Sequence, residues 1–170
     1  MKLFTLAGFL CVGTAVFAQD VHFDYDRGAN FSVYHTYQWV DVKNGHAADQ
    51  LMDQNIKRAV DEQLAAKGLQ RVTSSGDLQV AYQAALRQEK QFNGFTSGPR
   101  WNGFGQMNTS TIDVGKLVVD LYDPARRQLV WRGDAAKTLD IKKDPEKNYR
   151  SLEKAMTKLF KNYPPGIGQK

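Results

Sequence analysis

Cysteine is almost absent from this chain of 170 residues, because Cys11 is the only one. A single cysteine excludes an intrachain disulfide and a metal site built from several thiolates. Cys11 also lies within the first 18 residues, which have the features of a cleaved leader. The remainder is long enough to fold around a hydrophobic core alone, since a domain of about 150 residues buries about 68–70% of its unfolded surface.

Enzyme motifs are lacking too: the sequence contains no H-E-x-x-H, no G-x-S-x-G and no glycine-rich phosphate loop with its lysine. His22, Asp24 and Asp26 share one face of a predicted strand and resemble a hard-cation site. Alternate strand residues stand about 6.5–7 Å apart with parallel side chains, however, which disfavours common coordination. We therefore expect no metal, no cofactor and no catalytic residue; the alternative is an unrecognised hydrolase or metal-dependent enzyme with a His/Asp site.

The other two histidines do not suggest catalysis either. His35 lies among aromatic residues, beside Tyr34 and close to Tyr37, and His46 lies in a predicted loop. A histidine in such an aromatic setting is more often structural than a general base, so we interpret His35 as structural.

The N-terminus has the pattern of a secretory signal peptide. Lys2 precedes an uncharged, mostly apolar run over residues 3–17, and Ala18 ends a small-residue cleavage site. The run is too short for a membrane span, so we expect no transmembrane segment after cleavage. Leu10 stands where a lipoprotein signal needs a small residue before Cys11, so we expect no lipid anchor. The sequence predicts a periplasmic or secreted protein cleaved after Ala18, with no nucleic-acid partner.

Residues 19–170 have the patterning of a single α+β domain. Apolar and polar residues alternate at period two over residues 21–26, 36–40, 78–86 and 111–122, and a further strand starts at 129. Apolar residues recur at helical spacing over 49–67, and a second helix starts at Pro145 behind a capping Asp144. This order predicts a mainly antiparallel sheet of about five to six strands with two helices on one face.

An irregular glycine- and aromatic-rich loop is expected at about residues 89–110. Its centre, 92–108, interleaves Phe95, Trp101 and Phe104 with glycines. Exposed rings on such a loop could stack on sugars or insert into a partner's groove, which makes these three residues a possible partner-binding loop. The alternatives are that the rings pack back onto the sheet or that the loop is plainly disordered.

Positive charge is concentrated on the second helix. Five cations fall within an arc of about 80° at 100° per residue, opposite the apolar residues. We call these residues the basic stripe: Lys147, Arg150, Lys154, Lys158 and Lys161. In a bacterial envelope the stripe could contact an anionic surface of phospholipid or lipopolysaccharide head groups, and the ordinary alternative is a solvated helix face.

Short sequence elements along the chain resemble one known family. They are Asp24-Tyr25-Asp26, Asn30-Phe31-Ser32, Thr36-Tyr37-Gln38-Trp39, Lys67-Gly68-Leu69, Asp77-Leu78, residues 115–120, Trp131-Arg132-Gly133 with Asp134-Ala135, and Tyr163-Pro164-Pro165. Together they resemble the bacterial domain-of-unknown-function family 4136. The resemblance implies a small envelope protein, often a lipoprotein, with an α+β fold and no established activity, and it supplies no catalytic residues. We expect a non-enzymatic envelope domain that binds or scaffolds, with an unknown envelope protein or an anionic surface as its partner.

Overall fold

The computed structural model describes residues 20–41, 50–93, 108–139 and 144–165. These residues form six strands, two α-helices and two short 3-10 turns. In chain order the main elements are β1 (Asp20–Tyr25), β2 (Thr36–Trp39), α1 (Gln50–Ala66), β3 (Gln70–Arg71), β4 (Leu78–Asn93), β5 (Asn108–Asp123), β6 (Gln128–Leu139) and α2 (Pro145–Leu159). The α+β prediction is confirmed.

The strands form one sheet in the order β1-β6-β5-β4-β2-β3. The β1–β6, β6–β5 and β5–β4 pairs are antiparallel, whereas β2 runs parallel to both β4 and β3. The sheet is therefore mixed, although mostly antiparallel as predicted. The parallel pairs follow from the chain path, because α1 carries the chain back across the sheet between β2 and β3.

Both helices cover the same face of this sheet. The register aligns Tyr25 with Trp131, Trp131 with Leu121 and Leu121 with Val80, so these residues form one row across the sheet. Leu159 of α2 packs beside Gly133 in this layer, and Asp61 of α1 bonds Tyr37 and Trp39 of β2. The core lies between this face and the two helices.

The boundaries of α1 come from local sequence. Ile56, Val60 and Leu64 recur four residues apart and are buried, with at most 2% of each exposed. Gly68 has a φ of 87°, the left-handed conformation that ends a helix and that glycine adopts without strain. The expected helix over residues 49–67 is thus confirmed to within one residue at each end.

Trp131 is the largest fully buried side chain of the core. Its ring stacks on Phe160 at 5.0 Å and meets Tyr163 edge-on at 5.6 Å. Gly133 lies beneath it, and a Cβ there would stand 2.7 Å from Leu159 Cδ1. The glycine of the Trp131-Arg132-Gly133 element therefore makes room for the tryptophan and for α2.

The β4–β5 hairpin is longer than the sequence predicts. β4 continues to Asn93 and β5 begins at Asn108, and these two residues are paired in an unbroken antiparallel ladder. The expectation of a loop from about 89 to 110 is therefore wrong at both ends, because backbone ladder bonds extend strands whose side chains do not alternate. Residues 94–107 lie outside the described part of the chain.

Candidate functional site

The N-terminus of α2 is fixed by its own first residues. The Asp144 carboxylate accepts a hydrogen bond from the Glu146 N–H at 3.0 Å, and Pro145 occupies the first helical position, where no N–H is required. The helix then buries Ala155, Met156 and Leu159 in the core. This orientation turns the opposite side of α2 outward.

The basic stripe lies on that outward side. All five of its residues are exposed, and none of them forms an ion pair with any other described residue. From Lys147 to Lys158 the stripe extends about 16 Å along α2 at 1.5 Å per residue, and Lys161 follows in the 3-10 turn. Four of these positive charges therefore face solvent on one side of α2 and the fifth, Lys161, lies in the 3-10 turn that follows, with no described acid within ion-pair distance.

The charges of α1 are arranged in the opposite way. Lys57 pairs with Asp53 at 3.1 Å and Arg58 with Glu62 at 3.1 Å, both at a spacing of four residues. Burial raises the pKa of Asp53, but hydrogen bonds from Tyr82 and Lys57 outweigh it, so the net pKa is lowered. Every cation of α1 thus has an acidic partner, and α1 offers no free charge to a ligand.

Asp61 is the most connected polar side chain of α1. It accepts hydrogen bonds from the Tyr37 hydroxyl at 2.7 Å, from Trp39 Nε1 at 2.8 Å and from Arg71 at 2.8 Å. These bonds tie α1 to β2 and to β3 at one end of the sheet. Sequence analysis missed this role, because the three donors are 10 to 24 residues away from Asp61 in the chain.

An open surface cleft of about 340 Å³ lies beside Asp61. Its lining residues are Gln54, Lys57, Arg58, Asp61, Glu62 and Arg71. Each cation of the cleft is paired with a carboxylate. Two of the three carboxylates belong to the lining, and the third, Asp53, lies outside it. The cleft is therefore nearly neutral, and the stripe remains the more strongly charged surface.

The histidine and aspartate candidates of the first strand lie on the sheet face opposite the helices. His22 and Asp24 are exposed and stand opposite Asp134 and Arg132 of β6. Arg132 forms a bidentate pair with Asp120 at 2.6 and 2.7 Å, so its guanidinium is already engaged. Among the described residues, no group of three or more histidines, cysteines or carboxylates is arranged to hold a metal ion.

His35 is exposed, and its backbone N–H donates to Asp77 at 2.9 Å. Hydrogen bonds from the His35 N–H, the Thr36 hydroxyl and the Thr36 N–H lower the pKa of Asp77, so this carboxylate serves to hold the start of β2. His46 and the loop candidates Phe95, Trp101 and Phe104 lie outside the described residues.

The buried acid Asp123 also has a structural role. Asp123 is only 5% exposed and accepts hydrogen bonds from the Tyr34 hydroxyl and from the backbone of Ala125 and Arg126. Burial raises its pKa, but these bonds and the charge of Arg126 outweigh burial and lower the pKa overall. Asp123 therefore closes the β5–β6 turn onto Tyr34.

Within the described residues, neither helix is long and apolar enough to cross a membrane. Comparison with curated proteins finds no match. A protein-family profile described as Domain of unknown function (DUF4136) matches residues 21–165.

Solved structures share the fold at low sequence identity. A PDZ domain protein from Parabacteroides distasonis superposes with a TM-score of 0.57 at 14% identity, over 88% of this chain but only 37% of that one. The PelC dodecamer from Paraburkholderia phytofirmans superposes with a TM-score of 0.53 at 10% identity, over 84% of this chain and 95% of that one. At these identities the likeness concerns the fold alone.

Proposed function

This chain belongs to the DUF4136 family of unknown function, and we propose that it is a non-enzymatic binding domain of the bacterial envelope that contacts anionic phospholipid head groups through the basic stripe. The observation that carries this proposal is the contrast in pairing. Six described cations elsewhere are held in ion pairs, and the unpaired Arg27, Lys67 and Arg127 lie on separate segments of the chain. The five stripe cations, in contrast, recur at helical spacing within one segment and have no ion-pair partner among the described residues.

The expected interaction is weak and electrostatic. Each lysine or arginine close to an anionic membrane contributes about 1 kcal/mol, so five together reach about 5 kcal/mol. Because about 4 kcal/mol corresponds to a dissociation constant near 1 mM and each further 1.4 kcal/mol lowers it tenfold, the expected dissociation constant lies between about 0.1 and 1 mM. The apolar side of α2 is buried in the core, so insertion of the helix into lipid would require unfolding. We therefore propose contact at the head groups without insertion.

Location outside the cytoplasm is part of the proposal and rests on the signal-peptide pattern of residues 1–18. The protein purified from periplasm should begin at Gln19, which intact-mass measurement would show. A lipid attached to Cys11 would contradict this expectation and would place the protein on a membrane by another route.

Vesicle co-sedimentation tests the stripe. Wild type should sediment with phosphatidylglycerol vesicles and remain in solution with phosphatidylcholine vesicles, and binding should fade as salt shortens the Debye length below about 8 Å. The variant Lys154→Ala/Lys158→Ala/Lys161→Ala should lose binding to phosphatidylglycerol. Vesicles that contain lipopolysaccharide form a separate arm, because their phosphates offer the same chemistry from another source.

The matched control removes three positive charges elsewhere. Arg27→Ala/Lys67→Ala/Arg127→Asn changes the net charge equally, and asparagine suits the φ of 54° at position 127. This control should bind phosphatidylglycerol like wild type. Equal loss of binding in both triple variants would show that net charge alone acts, and salt-independent binding would contradict an electrostatic contact.

A further inference from the structure

Most of the outer edge of β4 has no neighbouring strand among the described residues. On this side β2 pairs with Leu78, Gln79 and Val80, and no described strand lies beside β4 from Ala81 to Asn93. Thirteen strand residues therefore have an edge that is unpaired by the described elements. Such an edge is a template for a further strand, because its outward peptide groups lack ladder partners.

The direction of the free peptide groups follows from one hydrogen bond. The Val40 N–H donates to the Val80 carbonyl at 2.9 Å, so the peptide groups of Val80 point away from β5 and towards β2. Peptide groups alternate in direction along a strand, and the β4–β5 register is unbroken. The even-numbered residues of β4 beyond Val80 therefore present their N–H and C=O groups at the open edge.

Charge in the sequence selects one way to pair this edge with itself. In an antiparallel pair of copies, the outward peptide groups of one strand must stand opposite the outward peptide groups of the other. Even-numbered residues therefore pair with even-numbered residues, and the two-fold axis passes beside one residue that stands opposite its own copy. Centring on Arg87, Glu89 or Lys90 would place each of these charges opposite itself. Centring on Gln88 instead places Arg87 of each copy opposite Glu89 of the other.

The charges at this centre also lack a charged residue opposite them within one copy. The β5 residues opposite Arg87 and Glu89 are Val114 and Ile112. Opposite charges across a strand pair are favourable, whereas like charges are unfavourable. We propose that a second copy of this chain pairs with the β4 edge, antiparallel and in the register centred on Gln88.

The paired length fits the open edge. In this register Gln83 stands opposite Asn93, so the pairing uses the free part of β4 and stops before Val80, where β2 occupies the edge. The hydrogen-bonded residue pairs of this stretch would exchange about ten backbone bonds. The result is a symmetric dimer with one continuous sheet across both copies.

The dimer has a consequence for the stripe. The two-fold axis of an antiparallel strand pair runs perpendicular to the sheet, so both helix layers lie on the same side. Two basic stripes would then face one surface together, which would strengthen weak binding by avidity. The dimer itself does not depend on the proposed membrane contact, because β4 and α2 carry separate residues.

Sedimentation velocity over a range of protein concentrations tests the interface. We expect the wild type to dimerise. Arg87→Glu alone turns both 87–89 pairs of the dimer into pairs of carboxylates. Glu89→Arg alone turns both into pairs of cations. Each single variant should weaken dimerisation about tenfold or more, because two attractive pairs across the interface become repulsive. The double variant Arg87→Glu/Glu89→Arg restores both pairs and should dimerise like wild type.

Oxidative cross-linking gives a second readout that does not depend on charge. Gln88→Cys in a Cys11→Ser background places two thiols at the symmetry axis, where Cα atoms of a hydrogen-bonded pair lie about 5.5 Å apart. This separation suits a disulfide, so a covalent dimer should form. The control Gln83→Cys places its two thiols about 33 Å apart and should not cross-link.

Several results would overturn the dimer. A wild type that stays monomeric, a double variant as weak as the singles, or equal cross-linking through positions 83 and 88 would each contradict it. Vesicle binding by the monomeric single variants would show that the membrane contact does not require the dimer. The dimer proposal and the membrane proposal can therefore be contradicted separately.

Discussion

The two helices cover the same face of the sheet yet use their polar sides differently. α1 pairs each of its cations with an acid, and its Asp61 bonds β2 and β3. α2 packs its apolar side as tightly but leaves the basic stripe without acidic partners among the described residues. The comparison shows that similar packing against one core leaves the outer surfaces free to differ.

Polar residues have different roles on the two helices. On α1 the polar side chains anchor the helix, since Asp61 serves the hydroxyl of Tyr37, which is only 1% exposed. On α2 the buried anchors are apolar, and its polar contacts to α1 come from Tyr149 and Thr157 rather than from the stripe. Changes to α1 polar residues should therefore affect stability, whereas changes to the stripe should affect binding.

Trp131→Ala is expected to have the largest effect, because it removes the ring on which the C-terminal end of α2 rests. The ring is fully buried against Phe160 and Tyr163, so truncation should cost about 3–5 kcal/mol of unfolding free energy. Domains of this kind have about 5–15 kcal/mol in total, so α2 would loosen or the protein would unfold. Urea denaturation measures the loss.

The control for this variant is Leu129→Ala on the same strand, where the side chain is 38% exposed. It should cost less than Trp131→Ala because less buried surface is lost. Equal effects of the two substitutions would show that α2 does not depend on the tryptophan.

Asp61→Ala tests the α1 side of the comparison and should have an intermediate effect. The substitution leaves the Tyr37 hydroxyl and Trp39 Nε1 without their acceptor, and an unsatisfied buried donor costs about 1–3 kcal/mol. The midpoint of urea unfolding should fall accordingly. Asp20→Ala, at an exposed position, is the matched loss of one negative charge. A midpoint equal in both variants would contradict the anchoring role of Asp61.

Neutralising the stripe should have the smallest effect on stability. Exposed substitutions usually change the unfolding free energy by about 0.5 kcal/mol or less, so Lys154→Ala/Lys158→Ala/Lys161→Ala should leave the thermal midpoint nearly unchanged. Helical circular dichroism would confirm that α2 persists. A large loss of stability would mean that the stripe is structural, which would remove the contrast between the helices.

Much of the fold could be predicted from local sequence. The helical spacing of Ile56, Val60 and Leu64, the left-handed Gly68 and the Asp144-Pro145 start of α2 each depend on interactions within about one helical turn. Residues this close in the chain leave a visible pattern. The end of β4 left none, because residues up to Asn93 are held by the backbone ladder to β5 rather than by alternating side chains.

The candidate surfaces divide in the same way. The basic stripe is visible in the sequence because its residues recur at helical spacing. The structure shows that all five are exposed, with Lys161 in the 3-10 turn after α2. The absence of described ion partners for the stripe could not be read from the sequence, since the fold can bring an acid from any distant segment beside a helix. The open edge of β4 was invisible for the same reason, because it depends on where β2 stops pairing.

The sequence by itself determined the two amphipathic helices, the boundaries of α1, the start of α2 and the concentration of cations near the C-terminus. The tertiary structure alone decided the strand order, the parallel placement of β2, the gathering of donors around Asp61 and the bond between Tyr34 and Asp123, which are 89 residues apart. The physical reason is range. Periodicity and capping act between near neighbours in the chain, whereas strand order and charge pairing depend on which distant segments the common core brings together.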